Sequence, residues 1–124
     1  MTLTLTPEPL AVCRLAPEAP VQAWMWAGPL ASVTRTATEL SVVCAQEAVP
    51  EGVRAETGWR AMSVDGPLDF ALTGVLASLA APLAEAGVPI FVVSTFDTDW
   101  LLVKGDWLED ALAALRAKGH EISA

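Results

Sequence analysis

A stripe of leucines between Gly66 and Pro89 is bracketed by helix punctuation, and the segments around it follow in a fixed order. Leu72, Leu76, Leu79 and Leu83 recur at spacings of four, three and four, which places them on one face of an α-helix. Pro67 suits a first helical position after Gly66, and Asp69 adds a negative charge in the first turn, where the helix dipole favours it. Gly87 ends the helix and Pro89 prevents its resumption. Pro89 to Thr95 is then continuously apolar, the pattern of a central strand covered on one face by helices, and Trp100 to Val103 returns as the next strand. Asp106 with Glu109 makes an acidic analogue of a capping box, opening a helix with Leu108, Ala111, Leu112 and Leu115 inward. Lys118-Gly119 closes that helix, and His120 to Ile122 supplies a last strand.

From Gly58 onward the order is strand, helix, strand, strand, helix, strand. The first half repeats it with both helices shrunk to turns. Leu10 to Leu15 reads as a strand, Val21 to Trp26 as a helical turn, and Leu30–Thr36 with Leu40–Cys44 as an antiparallel hairpin. Glu47 to Gly52 is a turn or short helix, and Val53 to Val64 is extended with a break near Gly58. The expected fold class is α+β: two tandem ferredoxin-like (βαββαβ) modules, residues 1–57 with reduced helices and residues 58–124 complete.

With 53% hydrophobic residues in 124, a core is assured and an apolar excess remains, which a second copy is expected to cover. The net charge of -8 argues against nucleic acid and anionic lipid as partners, since neither is attracted to such a surface. Met1 is followed by an alternating, strand-like Thr2 to Thr6 with no basic start, so no signal peptide is expected. The charge-poor run from Phe70 to Phe96 is cut by Glu85, Gly87 and Pro89 into pieces too short to span a bilayer. Cys13 and Cys44 lie in strand-like apolar runs, where a buried thiol is the ordinary finding. These features place the protein in the cytoplasm.

Two stretches carry a resemblance: Ser32–Thr36 with Glu39–Cys44, and Gly66 to Val103, including Pro82-Leu83-Ala84 and Ser94-Thr-Phe-Asp-Thr-Asp99. The chain resembles small proteins with two tandem ACT modules, related to the regulatory part of aspartate kinase and to the CASTOR-type cytosolic arginine sensors. The resemblance implies amino-acid binding without catalysis, at an interface between ACT modules, in a homodimer and without cofactor. The ligand contacts of the arginine sensors resemble Leu72, Thr73, Gly74 and Leu76 on the helix and Thr95, Phe96 and Asp99 on the bend. At Leu72 those sensors carry an acidic residue facing the ligand's cationic end. A leucine gives a guanidinium no partner, so a smaller or more apolar amino acid is expected here. The competing expectation is an ACT scaffold that no longer binds and works by docking to protein.

Taken one by one, the residues leave open readings. Gly74 inside a helix costs about 1 kcal/mol relative to alanine, so it serves either close ligand approach or tight packing. Thr73 either donates to a carboxylate or bonds back to its own helix. The free N–H groups of a helix opening at Gly66-Pro67 would receive a carboxylate. Asp99 either receives an α-ammonium group beside Thr95 or caps a turn, and Asp97 fits a solvated turn. Arg35 is expected to pair across the hairpin with Glu39 or another acid. His120 has no nucleophile or carboxylate near it in sequence. The five tryptophans read as core or interface anchors. No phosphate loop, dinucleotide fingerprint or zinc spacing is present, and no metal is expected at Asp97 and Asp99.

Overall fold

A computed structural model of the chain describes residues 1–69 and 73–124. In chain order its elements are β1 (Thr2–Leu5), β2 (Leu10–Leu15), a 3-10 turn at Ala23–Trp26, β3 (Ser32–Arg35) and β4 (Leu40–Ala45). A 3-10 turn at Gln46–Ala48, β5 (Arg54–Val64), α1 (Val75–Glu85), β6 (Phe91–Ser94) and β7 (Asp99–Lys104) follow. A 3-10 turn at Gly105–Trp107, α2 (Leu108–Ala117) and β8 (Glu121–Ser123) complete the chain. These elements divide into two compact units, Glu8–Trp59 and a discontinuous unit of Met1–Pro7 with Arg60–Ala124.

Within Glu8–Trp59 the strands run β3, β4, β2 and the start of β5, all neighbours antiparallel. This is the ferredoxin-like order, with 3-10 turns standing where its helices would be. The physical reason is local. Pro17, Pro20, Gly28 and Pro29 surround the first turn, and Pro50 and Gly52 follow the second, leaving no uninterrupted run for a helix. Ala11, Cys13, Met25, Leu40, Val42 and Cys44 form the core of this unit. The tryptophans of the first turn stay outside it: Trp24 is half-buried and Trp26 exposed, while Met25 between them is fully buried. The break near Gly58 is a bulge. Leu10 pairs with Trp59 and Val12 with Glu56, so β5 carries an extra residue where Gly58 takes a positive φ of 77°. Arg35 corrects an expectation. Its guanidinium donates to the carbonyls of Pro17 and Ala19, pinning the proline-rich loop in place of the cross-strand acid pair.

The other unit contains the strand–helix–strand–strand–helix–strand series as β5, α1, β6, β7, α2 and β8. Its strands run β6, β7, β5, β1, β8. β1 lies between the first and last strands of the series, antiparallel to β5 (Leu3 opposite Val64) and parallel to β8 (Leu3 opposite Ile122). Leu3, Met62, Val64, Leu79, Leu83, Leu101, Val103 and Leu115 are buried together between sheet and helices.

Four expectations are corrected in this unit. α1 begins at Val75, not at Pro67. The Leu68 N–H donates to the Asp97 carbonyl at 2.7 Å, drawing residues 66–69 along the bend, and Gly74 starts the helix from a left-handed φ of 76°. The carboxylate-receiving helix start expected at Gly66-Pro67 therefore lies at Val75. The buried stripe is shorter than expected: Leu79 and Leu83 are buried, but Leu76 is 37% exposed because it sits in the first turn, beyond the sheet. Leu72 lies outside the described residues. Among the described residues β6 pairs with β7 alone, as an edge strand, and its three apolar residues are half-buried. Finally, Asp106 falls in a 3-10 turn, and α2 starts after Trp107 without a side-chain cap.

Pro82 lies inside α1 and brings no N–H to the Ser78 carbonyl four residues earlier. The His120 ring supplies the missing donor: its Nε2–H reaches that carbonyl at 3.2 Å, and Nδ1 accepts from the Met1 amine at 3.1 Å. The lone histidine is a buried structural group, 9% exposed.

Candidate functional site

Three pieces of the C-terminal unit meet at one cleft: residues 66–69, the first turn of α1, and the bend joining β6 to β7. The cleft encloses about 260 Å³ and is lined by Leu68, Asp69, Val75 and every residue from Ser94 to Asp99. On the other side of Gly66-Pro67, a more open cleft of about 530 Å³ is lined by Asp65, Gly66, Pro67, Asp97, Thr98 and Trp100 among others.

The bend is built by its threonines. The Thr95 N–H donates to the Thr98 carbonyl at 2.8 Å, and the Thr95 hydroxyl donates to the same carbonyl at 3.1 Å. The Thr98 hydroxyl donates to the Val64 carbonyl at 2.6 Å, tying the bend to the end of β5. Ser94 and Asp99 are the last register pair of the hairpin, and the Ser94 hydroxyl donates to Asp99 Oδ1 at 2.7 Å. Gly66 explains how closely residues 66–69 approach. A Cβ there would meet the Leu68 nitrogen at 3.1 Å and the Asp97 carbonyl oxygen at 3.2 Å.

The structure distributes the expected site residues as follows. Thr95, Phe96 and Asp99 line the smaller cleft together, with Phe96 79% exposed at its rim. Gly66 lines the larger one. Gly74 immediately precedes Val75, so the helix end that it caps opens onto the smaller cleft. Among the described residues a Cβ at Gly74 would meet no atom within 4 Å, so tight packing does not explain this glycine, whereas its positive φ does. Thr73 and Leu76 are exposed and are not among the residues lining either cleft. Leu68, Asp69, Val75 and Ser94 were missed from sequence. Ser94 had a readable signal: it pairs with Asp99 as soon as Thr95–Thr98 is taken as a four-residue loop.

Chemically, the cleft combines the start of a helix with carboxylates. The N–H groups of Val75, Leu76 and Ala77 precede the first helical bond, from Ser78 N–H to the Gly74 carbonyl, and carry the positive end of the helix dipole. Asp69, Asp97 and Asp99 contribute negative charge, and no lysine, arginine or histidine is among the lining residues. Leu68, Val75 and Phe96 supply apolar surface. Among the described residues no group of three or more histidine, cysteine, aspartate or glutamate side chains is placed to hold a metal ion.

The fold and this cleft define a class: a ferredoxin-like α+β module with a notch beside a helix N-terminus. The family model of the ACT domain matches residues 54–117, and an N-terminal-domain model matches residues 8–52. The chain belongs to the ACT domain family. It is similar to protein Atu0741 from Agobacterium tumefaciens, with 38% identity and a TM-score of 0.92 over 98% of this chain and 90% of that one. It is 34% identical over 67 residues to the Homo sapiens cytosolic arginine sensor for mTORC1 subunit 1, matching 53% of this chain and 20% of that protein. The chain thus matches about a fifth of the length of these curated relatives. Its fold is also that of the regulatory subunit of aspartate kinase from Thermus thermophilus, with a TM-score of 0.64 at 14% identity over 90% of this chain and 93% of that one.

Proposed function

We propose that the chain is a non-catalytic regulatory module that binds a free amino acid in the cleft between α1 and the β6–β7 bend. The observation carrying this reading is that Val75, at the donor end of α1, lines the same small cleft as Thr95, Phe96 and Asp99. A zwitterion needs both ends: an α-carboxylate on the helix N–H groups and an α-ammonium on Asp99. Membership in the ACT family and the stretch shared with a protein named as an arginine sensor support it. Leu68, Val75 and Phe96 suit a small or apolar side chain, while the aspartates disfavour an acidic one. Gly66 belongs to the bend's support, and Gly74 sets the start of the helix that offers its N–H groups. The ligand is held at an interface between ACT modules, with a homodimer as the assembly.

Binding acts by favouring one arrangement of modules through differential affinity. The place of action is the cytoplasm. Among the described residues no helix is long and apolar enough to cross a membrane, and the human relative is named as cytosolic.

Thermal shift against the twenty protein amino acids tests the reading. One that binds, at 100 times its Kd, adds roughly 2.7 kcal/mol of stability, and Asp99→Ala abolishes that shift. No shift with any of them at millimolar concentration favours the second reading, a docking scaffold, which the exposed Phe96 and the free edge of β6 would serve.

A further inference from the structure

We propose that Ser94 is the positioning residue of this cleft: it holds one oxygen of Asp99 so that the other meets an α-ammonium group, setting a preference for α-amino over α-hydroxy acids. The inference rests on the amino-acid reading above. It starts from the bond from the Ser94 hydroxyl to Asp99 Oδ1, which at 2.7 Å has the length of a hydroxyl donating to an ionised carboxylate. Both residues line the cleft, and their backbones are fixed as the closing pair of the β6–β7 hairpin. Asp99 is thereby held at main chain and side chain together. Its second oxygen has no hydrogen-bond partner among the described residues.

The donor identity of Ser94 matters. A hydroxyl donating to Oδ1 takes one of its lone-pair sites and fixes the rotation of the carboxylate, leaving Oδ2 as the oxygen more open to a ligand. An α-ammonium group brings three charged N–H donors to that oxygen, whereas an α-hydroxyl brings one neutral donor. A site arranged around a charge-assisted bond discriminates strongly against the analogue that lacks it, because the carboxylate then stays poorly paired. Without Ser94 the carboxylate rotates, and discrimination relaxes even though Asp99 is still present.

A hydroxyl-to-carboxylate bond across a hairpin end also stabilises the hairpin, so stability alone does not test the proposal. The full chain is screened against the twenty protein amino acids, and each one that binds is titrated calorimetrically beside its L-2-hydroxy acid. Wild type, Ser94→Ala, Ser94→Thr and Asp99→Ala are compared. Ser94→Ala is expected to weaken the amino acid by about tenfold while leaving the hydroxy acid nearly unchanged, so that the ratio of the two Kd values collapses. Ser94→Thr keeps the hydroxyl and restores the ratio. Equal weakening of both compounds, or an unchanged ratio, overturns the role of Ser94 while a loss of binding in Asp99→Ala leaves the site itself standing. If no amino acid binds the wild type, the site reading and this inference fall together.

Discussion

Gly28 shows how one residue can be fixed by two constraints at once. It takes a positive φ of 109°, and a Cβ there would lie 2.8 Å from the Ala45 nitrogen and 2.9 Å from the Ala45 Cβ. The Ala45 N–H donates to the Ala27 carbonyl at 2.9 Å, so neither neighbour can retreat without losing that bond. Gly28→Ala should destabilise the protein by about 2 kcal/mol or more in urea denaturation. Gly52 also has a positive φ but opens onto free space, so Gly52→Ala should cost only the backbone strain, about 1 kcal/mol. Equal costs would remove steric contact from the explanation.

At the same scale, burial raises Cys13 from its ordinary 9.0 to about 11, and the neighbouring Cys44 adds to the effect. Burial also raises Cys44, partly offset by its bond with Cys13, and the Cys44 thiol points at its own Ala45 carbonyl at 3.6 Å. Folding therefore favours the neutral Cys13 thiol. That contribution is complete below pH 9.0 and disappears as pH climbs through about 11. Folded protein should resist iodoacetamide at pH 8, and Cys13→Ala should flatten the loss of stability between pH 9 and 11. Rapid alkylation of both thiols in native protein would contradict the burial argument.

Among the elements, α1 carries the most instructive compromise. Pro82 packs into the core but leaves the Ser78 carbonyl without a helical donor, and His120 fills the gap from the start of β8. His120→Ala should cost about 0.5–1.5 kcal/mol, the net worth of a typical hydrogen bond, since Ser78 itself is exposed. Pro82→Ala supplies a helical N–H to the same carbonyl, so in its background the His120→Ala cost should shrink. A double-mutant cycle by chemical denaturation checks the coupling, and strict additivity would refute it. The pairing was invisible in sequence because residues 42 apart had to be brought together, and a lone histidine without a nucleophile nearby gave no role.

For the whole molecule, the composition expectation is self-association. More than half of the residues are hydrophobic, and among the described residues β6 is the edge strand of its sheet, close in sequence to the exposed Phe96. Light scattering should give a mass near twice 13.0 kDa. With a net charge of -8 on each copy, added salt should strengthen the association by screening repulsion. A monomer at all concentrations and salts would leave the cleft to close within one chain or against another protein.

Much of the candidate site was legible because it sits on a short hairpin and a helix start, both of which announce themselves through neighbours in the chain. Thr95 and Asp99 are placed on the bend that way, Phe96 enters through the family resemblance, and the three line one cleft. The helix residues were placed less well, since Gly74 was read as interior when it is the cap, and its positive φ has no signature beyond the glycine itself.

By itself the sequence determined the order and kind of the elements. Periods of two and 3.6 and the positions of glycine and proline act over a few residues, and they specify two split βαβ series of unequal helix content. Only the tertiary structure decided that β1 belongs between β5 and β8, that α1 waits until Val75, and that Ser94 clasps Asp99. Those outcomes depend on which distant apolar faces bury one another and which backbone groups then need partners, and no local pattern encodes that choice.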